Sequence, residues 1–345
     1  MTIIKTHYRT CNVCEAMCGL VVTHQAEKII SIKGDKDDPL SNGHICPKGV
    51  ALQDFYNDPD RLTHPLKKTN SGWEKISWDD AYTEIISRFK DTQEKYGDNA
   101  LASYVGNPNA HNMGNLIYIS QFLRSLKTKN RYSSASADQL PHHVASNFML
   151  GNGMLVPIPD IDRTDFMLII GGNPIVSNGS LMTAPGVGKR MKAIQARGGK
   201  IIVVDPRRTE TALKSDEHIF IRPNRDALLL ASMIFTLFDE DLVQLNHLES
   251  DIVEINALEA AIKAFSPERT AEALEIDALK IRTLAREMST AKSAVCYSRM
   301  GASTQEFGGV CLWLTNALNI LTGNFDREGG AMFTQPAFDT LMAKS

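Results

Sequence analysis

No run in this 345-residue sequence is long and apolar enough to span a bilayer. The longest apolar stretches, such as Phe166–Ile170, fall far short of the roughly 20 residues a membrane helix needs. A basic block is missing as well. The 37 Lys and Arg and 40 Asp and Glu are mixed along the chain for a formal net charge of −3, so neither a nucleic-acid surface nor an anionic-membrane surface is marked. No secretory leader is visible. Met1-Thr2-Ile3-Ile4-Lys5 leads to a cysteine by Cys11, which leaves no room for a Sec or twin-arginine signal, and the expected residence is cytoplasmic. Internal repeats and low-complexity segments are absent, and so is a G-x-G-x-x-G fingerprint. With 43% hydrophobic and 22% charged residues, the composition is that of a globular α/β enzyme with a sizeable core and two or three domains.

Cysteine is scarce but concentrated. Of six, Cys11, Cys14, Cys18 and Cys46 fall near the start, and none lies between Cys46 and Cys296. Three thiolates from a tight loop and a fourth from Ile45-Cys46-Pro47-Lys48-Gly49, expected on another strand, suit one [4Fe–4S] cluster; the Cys-Pro step recurs in ferredoxin-type ligation. Structural zinc is the rival, but its usual signature is two short-spaced pairs. Disulfides fit poorly, because clustered thiols in a reducing compartment are usually ligands. Cys296 and Cys311 sit in apolar runs and read as core.

The pattern predicts α/β architecture: a small N-terminal iron–sulfur β domain, then Rossmann-like, mainly parallel sheets with helices on both faces. The domain division expected is 1–62 for the cluster and 63–345 for the rest. The latter would hold two interleaved subdomains, about 63–150 plus a C-terminal segment, and about 151–290. Residues 19–34 read as a hairpin, 59–72 as a linker, and Ser77 through Gly97 as a capped helix. Strands are expected near 100–105, 165–170, 200–204, 217–221 and 293–298. They alternate with helices near 114–127, 181–197, 225–238, 270–288 and 305–321.

Ligands of open α/β sheets bind at the carboxyl ends of strands. Two such loops stand out. Gly171-Gly172-Asn173-Pro174 lets a phosphate approach the backbone and offers an amide. In Asp205-Pro206-Arg207-Arg208-Thr209 the acid suits ribose hydroxyls, while arginine and threonine suit a pyrophosphate. Asp205 lies much further beyond Gly172 than the roughly 20 residues of an NAD site, which demotes plain NAD binding.

These pieces, taken in order, resemble the molybdopterin-dependent oxidoreductases of the dimethyl sulfoxide reductase superfamily, which includes formate dehydrogenases and nitrate reductases. The resemblance rests on the cysteine array with Cys46-Pro47-Lys48-Gly49, Gly171–Pro174, Val203-Val204-Asp205-Pro206-Arg207, and Ile221-Arg222-Pro223 leading to Asp226. It continues with Met300-Gly301-Ala302-Ser303-Thr304-Gln305 and with Leu321-Thr322-Gly323-Asn324-Phe325 before Gly329-Gly330. It implies a bis(molybdopterin guanine dinucleotide) cofactor with molybdenum or tungsten. Contacts would come from Gly172, Asn173, Pro174, Asp205, Arg207, Thr209, Asp226 and Gly301, with Asp205 and Asp226 on guanosine groups. Lys48 would stand on the electron path between cluster and pterin; a cation beside an anionic cluster also tunes its potential.

Two departures accompany the match. Asn224-Arg225-Asp226 replaces the usual Gly-Thr-Asp, keeping the acid but changing the turn. Family members are commonly about twice as long, ending in a pterin-binding β domain not expected here. In the loop where the family supplies a ligand to the metal, no thiolate is possible. Asp138 is favoured, because carboxylate oxygen suits a hard metal; Ser134, Ser136 or no protein ligand are the other options. His142 and His143 are candidate proton relays or simply a helix-start pair.

The leading functional reading is a two-electron redox enzyme acting on formate, nitrate or a similar oxyanion or oxide. Its electrons would pass through the cluster to a ferredoxin, flavoprotein or iron–sulfur subunit, with no nucleic-acid partner and no direct membrane insertion. The alternatives are an iron–sulfur electron-transfer or scaffold subunit without a working metal–pterin site, and a zinc-stabilised binding module.

Overall fold

The computed structural model describes residues 3–335, in two compact units divided between Ser134 and Ala135. The first opens with an antiparallel meander of β1 (Ile4–Thr10), β2 (Gly19–Gln25) and β3 (Lys28–Gly34), in that order. The predicted hairpin is β2–β3, turning at Ala26 with φ 52. Strand β1 was not expected: its residues are all exposed, so no alternation of burial betrays it.

Cys46 is not on a strand. It is the N-cap of helix α1 (Pro47–Asn57), which Pro47 starts because its fixed φ suits the first helical position and its missing N–H has no partner to lose. Lys48 therefore stands in a helix's first turn and not in a loop. The expected linker contains a hairpin, β4 (Leu66–Thr69) with β5 (Gly72–Lys75). Helix α2 (Trp78–Tyr96) has the predicted caps. Ser77 Oγ accepts from Asp80 N at 3.1 Å, and Gly97 closes the helix at φ 85. Next come β6 (Ser103–Val105), α3 (Met113–Ser125) and β7 (Arg131–Ser133), the two strands pairing in parallel.

The second unit starts with α4 (Ala135–Asp138), α5 (Leu140–Leu150) and β8 (Ile158–Pro159). Its centre is a parallel sheet of β9 (Phe166–Ile170), β10 (Lys200–Val204), β11 (Glu217–Ile219) and β12 (Ala294–Ser298), in the order β11-β10-β9-β12. Between β9 and β10 run α6 (Pro174–Ser177) and α7 (Val187–Ala196). After β11 come α8 (Asp226–Asp239), α9 (Ile255–Ile262), α10 (Pro267–Leu274) and α11 (Ala278–Thr290). After β12 come α12 (Met300–Ser303), α13 (Gly308–Leu321) and β13 (Ala331–Met332), the last antiparallel to β8.

Strand alternation assigns the two faces. Leu168, Ile170, Ile202 and Val204 pack with Leu229 and Leu230 of α8, Leu284 of α11 and Leu318 of α13. Met167, Ile169, Ile201 and Val203 pack with Val187, Met191 and Ile194 of α7 on the other side. Burial on both faces explains why these strands read as unbroken apolar runs. Each such side chain contributes about 1.5–3 kcal/mol.

Two helix predictions need correcting. The span 270–288 is two helices, broken where Glu275 turns left-handed at φ 59 and Asp277 caps α11 through Leu279 N. Helix α7 begins at Val187, because Gly186 at φ 70 starts it and the preceding residues turn. Among the described residues, no helix is long and apolar enough to cross a membrane.

Candidate cofactor sites

In the first unit, the loop from Cys11 to Cys18 is closed by Cys11 N donating to Cys18 O at 2.8 Å, with Met17 turned left-handed at φ 46. Cys11 and Cys18 are buried in a small core with Leu20, Val22 and Ile32, Cys14 packs partly buried against it, and Cys46 is buried as well. Gly49 on α1 keeps that side open: a Cβ there would come 2.9 Å from Ile45 Cγ1 and 3.9 Å from Cys11 Sγ.

Burial pushes the Cys11, Cys14 and Cys18 thiols up, Cys18 to about 11, and neighbouring thiols add to the rise in each. Three thiols whose ionisation is opposed by burial and by neighbouring thiols fit a centre whose cations deprotonate them on binding. Among the described residues, no three His, Cys, Asp or Glu side chains close on a single ion. The N-terminus of α1 directs its dipole at Cys46, which favours an anionic centre. Lys48 is exposed, and its charge lowers the Cys14 pKa slightly against the burial effect.

In the second unit, β9 and β12 are neighbours while the chain leaves β9 toward β10, so the order reverses between them. The crevice outside such a reversal is where α/β sheets take ligands. A cleft of about 440 Å³ opens there, lined by Gly171, Asp205, Asn224, Asp226, Gly301 and Gln305, among others. Three of the predicted contact residues, Asp205, Asp226 and Gly301, meet in it with Gly171, from four separate segments.

The glycines are required by contact. Gly171 has φ 58, and a Cβ would lie 2.5 Å from Ala302 N. Gly301 N donates to Gly171 O at 2.9 Å, so the two loops touch backbone to backbone. Asp226 is buried at 2% exposure, and its carboxylate accepts from the Gln305 amide. Burial raises the Asp226 pKa, with Asp205 adding to it; Asp205 is itself raised, chiefly by burial. His218 Nε2 donates to Asp205 O at 3.0 Å and holds that turn. Asp205 Oδ1 also accepts from Arg207 N at 2.8 Å, and the two acids lining the cleft suit the hydroxyls or N–H edge of a nucleoside. Asn224 takes φ 63, a conformation for which glycine is the default and asparagine is tolerated, so the residue that departs from the family pattern is compatible with a tight turn.

The remaining predicted contacts are engaged elsewhere. Asn173 Oδ1 accepts from Thr211 Oγ1 at 2.6 Å and its Nδ2 donates to Glu210 at 2.7 Å, tying the two strand-end loops together. Pro174 is buried at the start of α6. Arg207 pairs with Glu210 at 3.3 Å on the surface, and Thr209 Oγ1 accepts from Ala212 N at 3.1 Å.

Asp138 ends α4, half-buried, and its carbonyl accepts from Ser303 Oγ at 2.9 Å, which anchors the expected metal-ligand loop to α12. His142 is 9% exposed and its Nε2 has no hydrogen-bond partner. Burial first, then the Arg299 charge, depress its pKa to about 3. It is a neutral imidazole at working pH and can pass a proton only through its tautomers. His143 is structural, donating from Nδ1 to Gly153 O at 2.6 Å. Gln305 and Arg299 were not singled out by sequence; Gln305 lay inside a matched motif, while Arg299 carries no spacing signal. A larger groove of about 1070 Å³, lined by Leu228, Leu258, Phe307 and Trp313 among others, is mostly apolar.

The molybdopterin oxidoreductase family model matches residues 61–335, and the molybdopterin oxidoreductase Fe4S4 domain model matches residues 4–58. A formate dehydrogenase alpha subunit of Methanocaldococcus jannaschii is 28% identical over 321 residues, 92% of this chain and 46% of the relative. Formate dehydrogenase H of Escherichia coli is 28% identical, covering 94% and 45%. The periplasmic nitrate reductase of Desulfovibrio desulfuricans is 26% identical, covering 94% and 44%. Among solved structures, acetylene hydratase from Pelobacter acetylenicus superposes with a TM-score of 0.80 at 25% identity, over 95% of this chain and 45% of that one. The chain thus spans about half the length of the relatives it matches.

Proposed function

The chain belongs to the molybdopterin oxidoreductase family, whose cofactors are a [4Fe–4S] cluster and molybdopterin with molybdenum or tungsten, and we propose that it serves two-electron redox of a small substrate. Formate, nitrate or a similar oxyanion or oxide is the substrate class, and an electron-transfer protein is the partner. The observation that carries this reading is the meeting of Gly171, Asp205, Asp226 and Gly301 in one cleft at the strand-order reversal.

Cys11, Cys14, Cys18 and Cys46 would hold the cluster, with Lys48 raising its potential. Asp205 and Asp226 would take the guanosine end of the dinucleotide, against the backbone of Gly171 and Gly301. Asp138 remains the proposed protein ligand to the metal, and His142 the proposed neutral proton relay. We also retain the division into a cluster domain of residues 1–62 and a pterin-binding region from residue 63. When bound, the metal–pterin supplies the two-electron step and the cluster carries electrons away singly.

Anaerobic purification, followed by iron, sulfide, molybdenum, tungsten and pterin analysis, tests the proposal. About four irons and four sulfides per chain are expected, with pterin present and reduction of a viologen by formate, or oxidation of one by nitrate. Stoichiometric zinc without broad visible absorption would sink the cluster assignment. Iron without pterin or metal would turn the reading to an electron-transfer or scaffold subunit.

A further inference from the structure

The large apolar groove of the second unit runs along α13, and its two ends differ in charge. The hydrogen bond of Gln305 to Asp226 sets the start of α8, and with it Arg225, beside the start of α13. At the other end Gln244 N donates to Leu321 O at 2.8 Å, and Ile252 shares a cluster with Ile320. That brings the segment carrying Asp251 and Glu254 to the close of the helix. The 14 residues of α13 make the groove about 21 Å long. A guanidinium therefore lines one end and two carboxylates the other. Among the described residues no ion pair holds Arg225, Asp251 or Glu254; Arg225 donates only to the neighbouring Asn224 O, at 3.0 Å. Along the rim Phe307 and Val310 are half exposed.

Helix α2 of the first unit has the complementary shape. Trp78, Tyr82, Ile85, Ile86 and Phe89 fall on one stripe about 100° wide. A surface helix ordinarily turns such a stripe to its core, yet all five are exposed, from 36% for Phe89 to 57% for Trp78. The one buried residue of α2 is Ala81. About half of each of five large side chains is thus left in water, roughly 500 Å² of apolar surface, which is the mark of an interaction face. The charges of α2 are also divided by end. Asp79 and Asp80 stand in its first turn, and Lys90 and Lys95 follow in its second half. From Asp80 to Lys90 and Lys95 the helix covers about 15–22 Å, the length of the groove.

We propose that the groove along α13 receives α2 of a second copy of this chain. Asp79 and Asp80 lie toward Arg225, and Lys90 and Lys95 lie toward Asp251 and Glu254, so the docked helix runs parallel to α13. Trp78, Tyr82, Ile85 and Phe89 fill the groove between them, the mode in which an amphipathic helix lays its apolar stripe into a hydrophobic channel. With the groove's own surface, one such contact buries about 1,000 Å². Reciprocal exchange between two copies doubles this to about 2,000 Å², within the range of stable dimers, and closes the pair about a two-fold axis. An anionic amphiphile matches less well, because it would meet two carboxylates for one guanidinium. Asn224 lines both the groove and the polar cleft, so the docked helix abuts the turn that carries Asp226. The inference depends on neither the cofactors nor the redox chemistry proposed above.

Interfaces of this size dissociate at micromolar concentration or below, so sedimentation velocity of the full chain between about 1 and 100 μM should show a dimer. Ile85→Asp on α2 and Val310→Asp in the groove, both at exposed positions, should each weaken the dimer about tenfold or more. Arg225→Glu should weaken it too, and adding Asp79→Lys with Asp80→Lys should restore it, which only charges that meet across the contact can do. A synthetic peptide of residues 77–97 should compete and return the protein to the monomer. A chain that stays monomeric overturns the proposal; the groove then belongs to a partner's helix if it binds the peptide, or to a lipid if it binds palmitate. A dimer that Val310→Asp or the charge exchange leaves unaltered also overturns it, because the contact lies elsewhere. Should a variant lose its cooperative melting transition, the peptide decides in the parent protein, and a dimer that survives excess peptide overturns the proposal.

Discussion

Asp226→Asn should make the ligand-free protein more stable and the ligand-binding protein worse at its task. Asp226 is 2% exposed, with the Gln305 amide as a hydrogen-bond donor to its carboxylate. Burial holds its pKa above the ordinary 3.8, and the Asp205 charge raises it further. A carboxyl raised in the fold contributes stability that is fully present below 3.8 and is lost as pH climbs through the raised folded value. At neutral pH its charge therefore costs the fold stability. Asparagine removes that charge, keeps the volume, and keeps an oxygen for Gln305. The melting temperature should rise at pH 7, and the gain should vanish below pH 3.8, where the aspartate is already protonated. The opposite change is expected for a guanine nucleotide. A hydrogen bond to a charged group contributes about 1.5–3 kcal/mol, and 1.4 kcal/mol is tenfold in affinity, so GDP should bind roughly ten- to 150-fold more weakly. Scanning calorimetry against pH and titration with GDP measure the two halves separately. A lower melting temperature at pH 7 would refute the electrostatic argument. An unchanged GDP affinity would refute the placement of guanosine at Asp226.

Two further substitutions probe the rest of the framework. Lys48→Ala removes an exposed side chain from the first turn of α1, so iron content should hold and stability should move by no more than about 0.5 kcal/mol. The cluster potential should nevertheless fall, and loss of iron on substitution would show the lysine to be structural. Asn319→Ala strips the open edge of β12, where Asn319 accepts from Cys296 N at 2.8 Å and donates to Cys296 O at 2.9 Å. Two buried backbone groups left unpaired at about 1–3 kcal/mol each predict a loss of roughly 2–6 kcal/mol in urea unfolding; a loss under about 1 kcal/mol would contradict the edge-capping role.

Central strands were legible because both of their faces are buried. Phe166–Ile170, Lys200–Val204 and Ala294–Ser298 appear as apolar runs and lie where the pattern put them. Exposed elements were not legible. Strand β1 and the hairpin of β4 and β5 bury little, so nothing in their side chains records their partners. The break in 270–288 was hidden for another reason: Glu275 adopts a left-handed turn that its residue type does not announce. The motif Leu321–Phe325 was visible as a resemblance, but its physical purpose was not. Asn324 Oδ1 accepts from Ala294 N at 3.0 Å and, with Asn319, replaces the neighbour strand that β12 lacks.

Which strand ends become neighbours is decided by crossovers, and no local pattern encodes them. Gly171 and Gly301 were each recognisable, yet their contact arises only because β12 inserts beside β9. That insertion also completes the crevice. Two acids with raised pKa values, Asp205 and Asp226, come from the β10 and β11 side. Gly301 and Gln305 come from the β12 side. A ligand matching the acids must carry hydrogen-bond donors, as the hydroxyls and N–H edge of a nucleoside do. Such donors relieve both acids together, so guanosine should bind more weakly to Asp205→Asn as well as to Asp226→Asn, and an unchanged affinity in the Asp205 variant would place the nucleoside elsewhere.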